Sequence, residues 1–382
     1  MLYRKLGKTG EKLSILGFGA MRLPVIDGDD SKIDEEMAIK MIRYAIDNGV
    51  NYLDTAYPYH RGMSEILCAK AMEDGYRSKV KIATKLPSWD IKEFDDMEKF
   101  LDEQLTKLKV ETIDFYLLHA MGKSYWSNYK KLNYKAFLDK AKKDGKIKYA
   151  GFSHHDDLTI FKEIIDDYEW DFCQIQLNYM DENYQAGLAG MRYAASKGIG
   201  VIIMEPLRGG MLARPDMPEQ LKKLWDSSET KRSPAEWALR YLWNYPEIGV
   251  VLSGMSNMDQ VVENVKTAAE GEPDSLTQKE KEIINKVKAF YKEKTLVNCT
   301  SCGYCMPCPS GVNIPENFWA YNHEAQTGDS AKAKYWITGF LNETQRASNC
   351  IDCGECEERC PQQIPIREHL KKIAEKYENN NS

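Results

Sequence analysis

VNYLDTAYPYH, residues 50–60, opens as a short apolar run and ends in a group of ionisable and aromatic side chains. The run VNYLDTA (50–56) reads as a buried strand with Asp54 near its carboxyl end. Similar runs occur at SILGFGAMRL (14–23), VKIATKL (80–86), IDFYLLH (113–119) and IKYAGFS (147–153), then at DFCQIQLN (171–178), IGVIIMEPL (199–207) and IGVVLSGM (248–255). Between them lie stretches with helical spacing, such as EEMAIKMIRYAIDNG (35–49). Its apolar positions 37, 41, 42, 45 and 46 share one face, and Asn48-Gly49 supplies a stop. Strands that are apolar nearly throughout suit a parallel sheet buried on both faces. Eight strand-then-helix units in about 250 residues predict an α/β fold of the (β/α)8 TIM barrel type. A doubly wound open sheet would normally begin on a glycine-rich dinucleotide loop, whereas GFGAMR (17–22) lacks the third glycine and has no helix behind it.

The remaining chain is of another kind. GEPDSLTQKEKEIINKVKAFYKEK is charged and helical in pattern, and after it the strand–helix alternation stops. The expected domains are therefore a barrel over 1–275, a helical linker over 276–295 and a small domain over 296–382. Of ten cysteines, eight lie in that last segment, and Cys68 and Cys173 read as small buried apolar residues. The chain has 382 residues, 43% hydrophobic and 29% charged, as in a soluble globular protein. Its formal net charge of -6 offers no basic surface for nucleic acid. No apolar run reaches the length of a membrane span, and MLYRKLGKTG lacks a secretion-signal core. A cytoplasmic protein with no membrane partner is expected, and there clustered thiols bind metal rather than form disulfides.

Cys350-x2-Cys353-x2-Cys356-x3-Cys360-Pro361 is the run typical of bacterial two-cluster ferredoxins. Cys299-x2-Cys302-x2-Cys305-x2-Cys308-Pro309 is one residue shorter before its last thiol. Three thiolates at such spacing grip three corners of a cubane, and the fourth conventionally comes from the other run. One 4Fe-4S cluster would take Cys299, Cys302, Cys305 and Cys360, the other Cys350, Cys353, Cys356 and Cys308. The shortened first run leaves the pairing of Cys308 and Cys360 open. Zinc would need two Cys-x2-Cys pairs separated by a longer loop.

On the barrel reading, Asp54, Lys85 and His119 end three consecutive strands, and Tyr59 lies in the loop after the first of them. All four would face the carboxyl rim, where barrel enzymes place their active sites. A phenol titrates near about 10, and an adjacent ammonium lowers that value by favouring the phenolate. An aspartate would fix the ammonium, and an imidazole would hold the oxygen of a bound carbonyl. Such a site donates a proton but holds no hydride, so a cofactor must supply it.

DTAYPYH, ATKL and YLLH resemble the aldo-keto reductase superfamily over roughly residues 1–270, including YRKLGKTGEKLSILGFG, which is similar to that family's N-terminal hairpin and first strand. The resemblance implies an oxidoreductase acting on a small carbonyl substrate, with Tyr59 as general acid/base, Lys85 and Asp54 tuning it and His119 orienting the carbonyl. It also implies nicotinamide contacts from Ser153 and His154, the latter in place of an asparagine, and from Gln176. Met204 replaces an aromatic platform, and Leu207 and Gly209 belong to a phosphate-approaching turn. SGMSNMDQVVENV (253–265) resembles the adenosine-phosphate loop, with contacts from Ser253, Gly254, Ser256, Gln260 and Asn264. No lysine or arginine occurs there to neutralise a 2′-phosphate, so NADH is expected over NADPH. Barrel and cysteine runs together resemble the branch with a C-terminal, ferredoxin-like 4Fe-4S domain. Because hydride carries two electrons and a cluster one, the coupling would need a flavin, or a ferredoxin or flavoprotein partner. Otherwise the clusters sense redox state. A binding module whose tetrad is vestigial is the rival reading.

Overall fold

The computed structural model describes residues 1–214 and 217–378. The chain forms two compact units, Met1–Pro206 with Ala235–Leu276, and Leu207–Pro234 with Thr277–Ser382. The linear domains expected above divide the chain differently. Segment 207–234 and the helix Gln278–Lys294 both belong to the second unit. Its last four residues, the end of the 296–382 segment, lie outside the described residues.

The first unit opens with an antiparallel hairpin, β1 (Tyr3–Lys5) and β2 (Lys12–Ser14). Eight parallel strands follow: β3 (Leu16–Gly19), β4 (Tyr52–Asp54), β5 (Lys81–Leu86), β6 (Ile113–Met121), β7 (Ile147–His154), β8 (Phe172–Gln176), β9 (Gly200–Met204) and β10 (Ile248–Ser253). They close in the order β10-β3-β4-β5-β6-β7-β8-β9, which is the expected TIM barrel. Most of their residues are buried, as apolar strands in a closed parallel sheet require, although Lys148 on β7 is exposed. Tyr52, Ala83, Phe115, Phe172, Ile202 and Val250 form a dry interior cluster with Leu6 and Leu13.

Leu6 marks which end is closed. It follows β1 and enters against the first residues of β9 and β10; a Cβ on Gly200 would lie 2.4 Å from Leu6 Cγ, so only glycine admits it. The hairpin thus plugs the amino end and leaves chemistry to the carboxyl rim. Around the sheet, helices bury one stripe each. Glu35–Asp47 starts on Asp34, whose side chain accepts from Met37 N–H, and inserts Ala38, Met41, Ile42, Ala45 and Ile46. Truncating Met41 or Ile42 to alanine would cost about 2–5 kcal/mol.

In the second unit every regular element among the described residues is helical. Thr277 and Glu280 form a reciprocal capping box at the start of Gln278–Lys294. Segment 207–234 joins that helix through Arg232–Glu280 and through Lys279–Glu229 at 2.9 Å. Helices Ile314–Thr327 and Ile366–Tyr377 bury Phe318, Leu370 and Ile373 in a small core against which six of the eight clustered cysteines pack.

Candidate active site

The site begins with register. Gly19 pairs with Asp54, Asp54 with Ala83 and Lys85 with Leu117, so parallel strands carry Asp54, Lys85 and His119 to one rim. Lys85 is fully buried. Its Nζ donates to Asp54 Oδ1 at 2.7 Å, to the Thr55 carbonyl at 2.7 Å and to the Tyr59 hydroxyl at 3.3 Å. Burial pulls Lys85 below the ordinary lysine range, and Asp54 partly restores it. Burial likewise pushes the Asp54 carboxyl up against the pull of Lys85. The ammonium is therefore held by its neighbours, and it gives up a proton more readily than a solvated lysine.

Tyr59 opens a tight turn, Tyr59–Gly62, in which His60 and Arg61 are left-handed at φ 52° and 53°. Such backbone costs about 1–2 kcal/mol per residue unless something holds it. His60 does so. Its Nε2 accepts from Leu23 N–H at 3.2 Å while Nδ1 lies 3.0 Å from the Asp30 carbonyl, which makes Nδ1 the protonated nitrogen. His60 closes the very stretch quoted at the outset, yet its partners lie some 30 residues upstream and are invisible to local pattern.

His119 is held well below the usual imidazole range by burial, then by the charges of Lys85 and His155. Its neutral ring meets Tyr59 edge-on at 6.1 Å and lies 5.2 Å from Trp89, whose ring is 39% exposed. Ser88 donates to the His119 carbonyl and receives a bond from Tyr129 at 3.0 Å, which fixes the strand end. Tyr59, Lys85, His119 and Trp89 thus stand together as an acid, its cation, a neutral imidazole and an aromatic face.

The expected cofactor contacts separate into those that gather on the barrel and those that do not. Ser153 Oγ accepts from Ala120 N–H at 2.8 Å, leaving its own proton to donate. Gln176 donates to Asp181 at 3.1 Å, and Asp181 is held in turn by Asn178. Hydroxyl and amide together suit a carboxamide, so these positions fit a nicotinamide. His154 is a correction. Alternation along β7 turns its ring outward onto Phe161 at 5.1 Å, with Nε2 2.8 Å from the Asp156 carbonyl. The histidine whose charge reaches His119 is the next one, His155, half-buried and held near a pKa of about 4 by desolvation. Met204 Sδ accepts from Gln174 at 3.6 Å.

At β10, Ser253 Oγ accepts from Asn264 at 3.0 Å, Ser256 N–H donates to Gln260 at 2.8 Å, and Asn257 caps the helix Met258–Thr267. The Arg22 stem lies against Gly254, where a Cβ would come within 3.3 Å of it. Arg22 is a cation that local reading missed, because it stands more than 230 residues from the loop it covers. Leu207 and Gly209 belong to the second unit; Arg208, Gly209 and Gly210 are left-handed in succession at φ 46°, 66° and 94°.

In the second unit Cys299, Cys302, Cys305 and Cys360 line one cavity. Among the described residues no three His, Cys, Asp or Glu side chains converge as ligands of a single ion. Four thiols spread around a chamber are the donor set of a cubane. Thr300 lines the same cavity, and its buried Oγ1 has no hydrogen-bond partner among the described residues. Burial pushes the Cys299 thiol up to about 11 and Cys305 to about 12. Cys356 is raised to about 11, chiefly by burial and then by the neighbouring Glu357, Cys350 and Cys308. Cys353 is exposed, and Cys68 and Cys173 are buried apart from both sets.

The sequence model of the Aldo/keto reductase family matches residues 15–288. The chain belongs to that family. The model of the 4Fe-4S dicluster domain matches residues 298–364, so this aldo-keto reductase is an oxidoreductase with a C-terminal iron–sulfur domain. It is 30% identical over 308 residues to L-galactose dehydrogenase of Arabidopsis thaliana, covering 75% of this chain and 93% of the relative. It is 26% identical over 296 residues to an uncharacterized oxidoreductase of Bacillus subtilis, covering 70% and 91%. Among solved structures, the holo form of an aldo-keto reductase from Bacillus halodurans is similar at 27% identity and TM-score 0.63, covering 75% of this chain and 96% of that one. A Klebsiella pneumoniae aldo-keto reductase in complex with NADPH, 18% identical with TM-score 0.59 and covering 75% and 95%, shares the fold. No helix among the described residues is long and apolar enough to cross a membrane.

Proposed function

We propose that this aldo-keto reductase reduces the carbonyl of a small aldehyde or ketone, or oxidises the corresponding alcohol, with Tyr59 as the proton donor. The observation that carries the reading is the buried Lys85 ammonium shared by Asp54 and the Tyr59 hydroxyl beside a neutral His119. When bound, the nicotinamide supplies hydride to the carbonyl carbon. His119 donates a hydrogen bond to the carbonyl oxygen, and Tyr59 delivers its proton to that oxygen as it becomes alkoxide. Lys85 stabilises the phenolate left behind, and Asp54 keeps Lys85 in place. Ser153 and Gln176 would hold the carboxamide, and Arg22 would meet a phosphate. The absence of Lys or Arg at Ser256, Asn257 and Gln260 supports NADH over NADPH.

Trp89 beside His119 offers a flat apolar face, and the likeness to a relative named for L-galactose makes aldoses and sugar alcohols the first substrates to assay. In the iron–sulfur unit, the shared cavity supports one cluster on Cys299, Cys302, Cys305 and Cys360. Cys350 and Cys308 both act on Cys356, which supports a second cluster on these three with Cys353. Clusters held by these two sets would carry single electrons, and a flavin, or a ferredoxin or flavoprotein partner, would connect them with two-electron chemistry. Tyr59→Phe tests the reading: carbonyl turnover falls by about 10²–10⁴ while cofactor affinity holds. Turnover that survives the change would refute it.

A further inference from the structure

The cavity holding Cys299, Cys302, Cys305 and Cys360 contains one hydroxyl that the protein itself does not use. Thr300 is 1% exposed, stands between two of the cysteines and lines the chamber, and its Oγ1 has no hydrogen-bond partner among the described residues. A buried hydroxyl without a partner costs about 1–3 kcal/mol. Valine would fill the same volume without that cost. The hydroxyl is explained if something in the chamber accepts its proton, and the sulfurs of a bound cluster are acceptors.

The other set differs. Cys308 Sγ lies 3.3 Å from Ser310 Oγ, Cys353 is exposed, and the acids Asp352, Glu355 and Glu357 flank it, paired with Arg359 and Arg367. We infer that Thr300 raises the reduction potential of the cluster on Cys299, Cys302, Cys305 and Cys360. One-electron reduction adds a negative charge and moves no proton. A donated hydrogen bond favours the more negative state. This rests on the cluster pairing proposed above.

The test is a redox titration of the purified, cluster-loaded protein, followed by electron paramagnetic resonance. Cys302→Ser and Cys353→Ser identify which signal belongs to which set. In Thr300→Val the equilibrium constant for reducing the first cluster should fall about tenfold, or about 59 mV for one electron. Thr300→Ser should keep the wild-type value. The second cluster should be unmoved throughout. Iron and sulfide content of each variant is measured first. A protein that holds both clusters with an unshifted first midpoint would overturn the inference, as would equal shifts in both clusters. Wild-type protein lacking two clusters would overturn the pairing along with it.

Discussion

Replacing Lys85 with methionine separates the chemical from the structural role of the buried pair. The ammonium lies 3.3 Å from the Tyr59 hydroxyl oxygen. At an effective dielectric of about 20, unit charges at that distance attract by about 5 kcal/mol. Asp54 sits on the same ammonium at 2.7 Å and offsets part of this field. The figure is therefore a ceiling, and the basic limb of the kcat/KM profile should move up by about 2 pH units. The single variant also strands Asp54 in a dry site, which should lower stability by about 3–5 kcal/mol. The double variant Asp54→Asn, Lys85→Met has no buried charge left, so urea unfolding should show most of that stability restored. Turnover should stay down by about 10²–10⁴. If activity returned together with stability, Lys85 would be a structural lysine, and its role at Tyr59 would be refuted.

Acid should loosen the barrel. His154 and His155 are each held near a pKa of about 4 by burial, against about 6.5 when unfolded, so the unfolded chain binds more protons between those values. Stability is then complete above about pH 6.5 and is lost as pH falls toward 4, by about 2 kcal/mol per imidazole at pH 5. Urea unfolding of His154→Leu should show a pH dependence shallower by that amount, and an unchanged slope would count against the burial account. In the iron–sulfur unit, Cys360→Ser should disturb the same electron paramagnetic resonance signal as Cys302→Ser. Sharing a signal with Cys353→Ser instead would reverse the pairing.

The eight barrel strands were legible because a parallel sheet buried on both faces leaves no polar alternation to confuse the pattern. Asp54, Lys85 and His119 stood out for a related reason: each lies near the end of such a run, with Tyr59 in the loop after the first of them. What escaped depends on contacts between distant segments. His60 pins its turn to Leu23 and Asp30, and Arg22 covers Gly254 from the far end of the first unit's sequence. The exchange of His154 for His155 turns on the side to which the last residue of β7 faces, and a one-residue difference in strand end reverses it. Segment 207–234 carries no compositional mark of its membership in the second unit, since its ties are ion pairs such as Arg232–Glu280.

That membership bears on how the protein can be made and divided. The iron–sulfur unit is assembled from two stretches of chain, with residues 235–276 of the barrel unit between them. A fragment begun at Thr277 would carry every clustered cysteine yet lack a piece of its own body, Arg208 included. During synthesis the earlier piece leaves the ribosome long before the cysteines do, so it must wait for them. Grafting the iron–sulfur unit onto another scaffold would mean transplanting two separate stretches of chain rather than one tail.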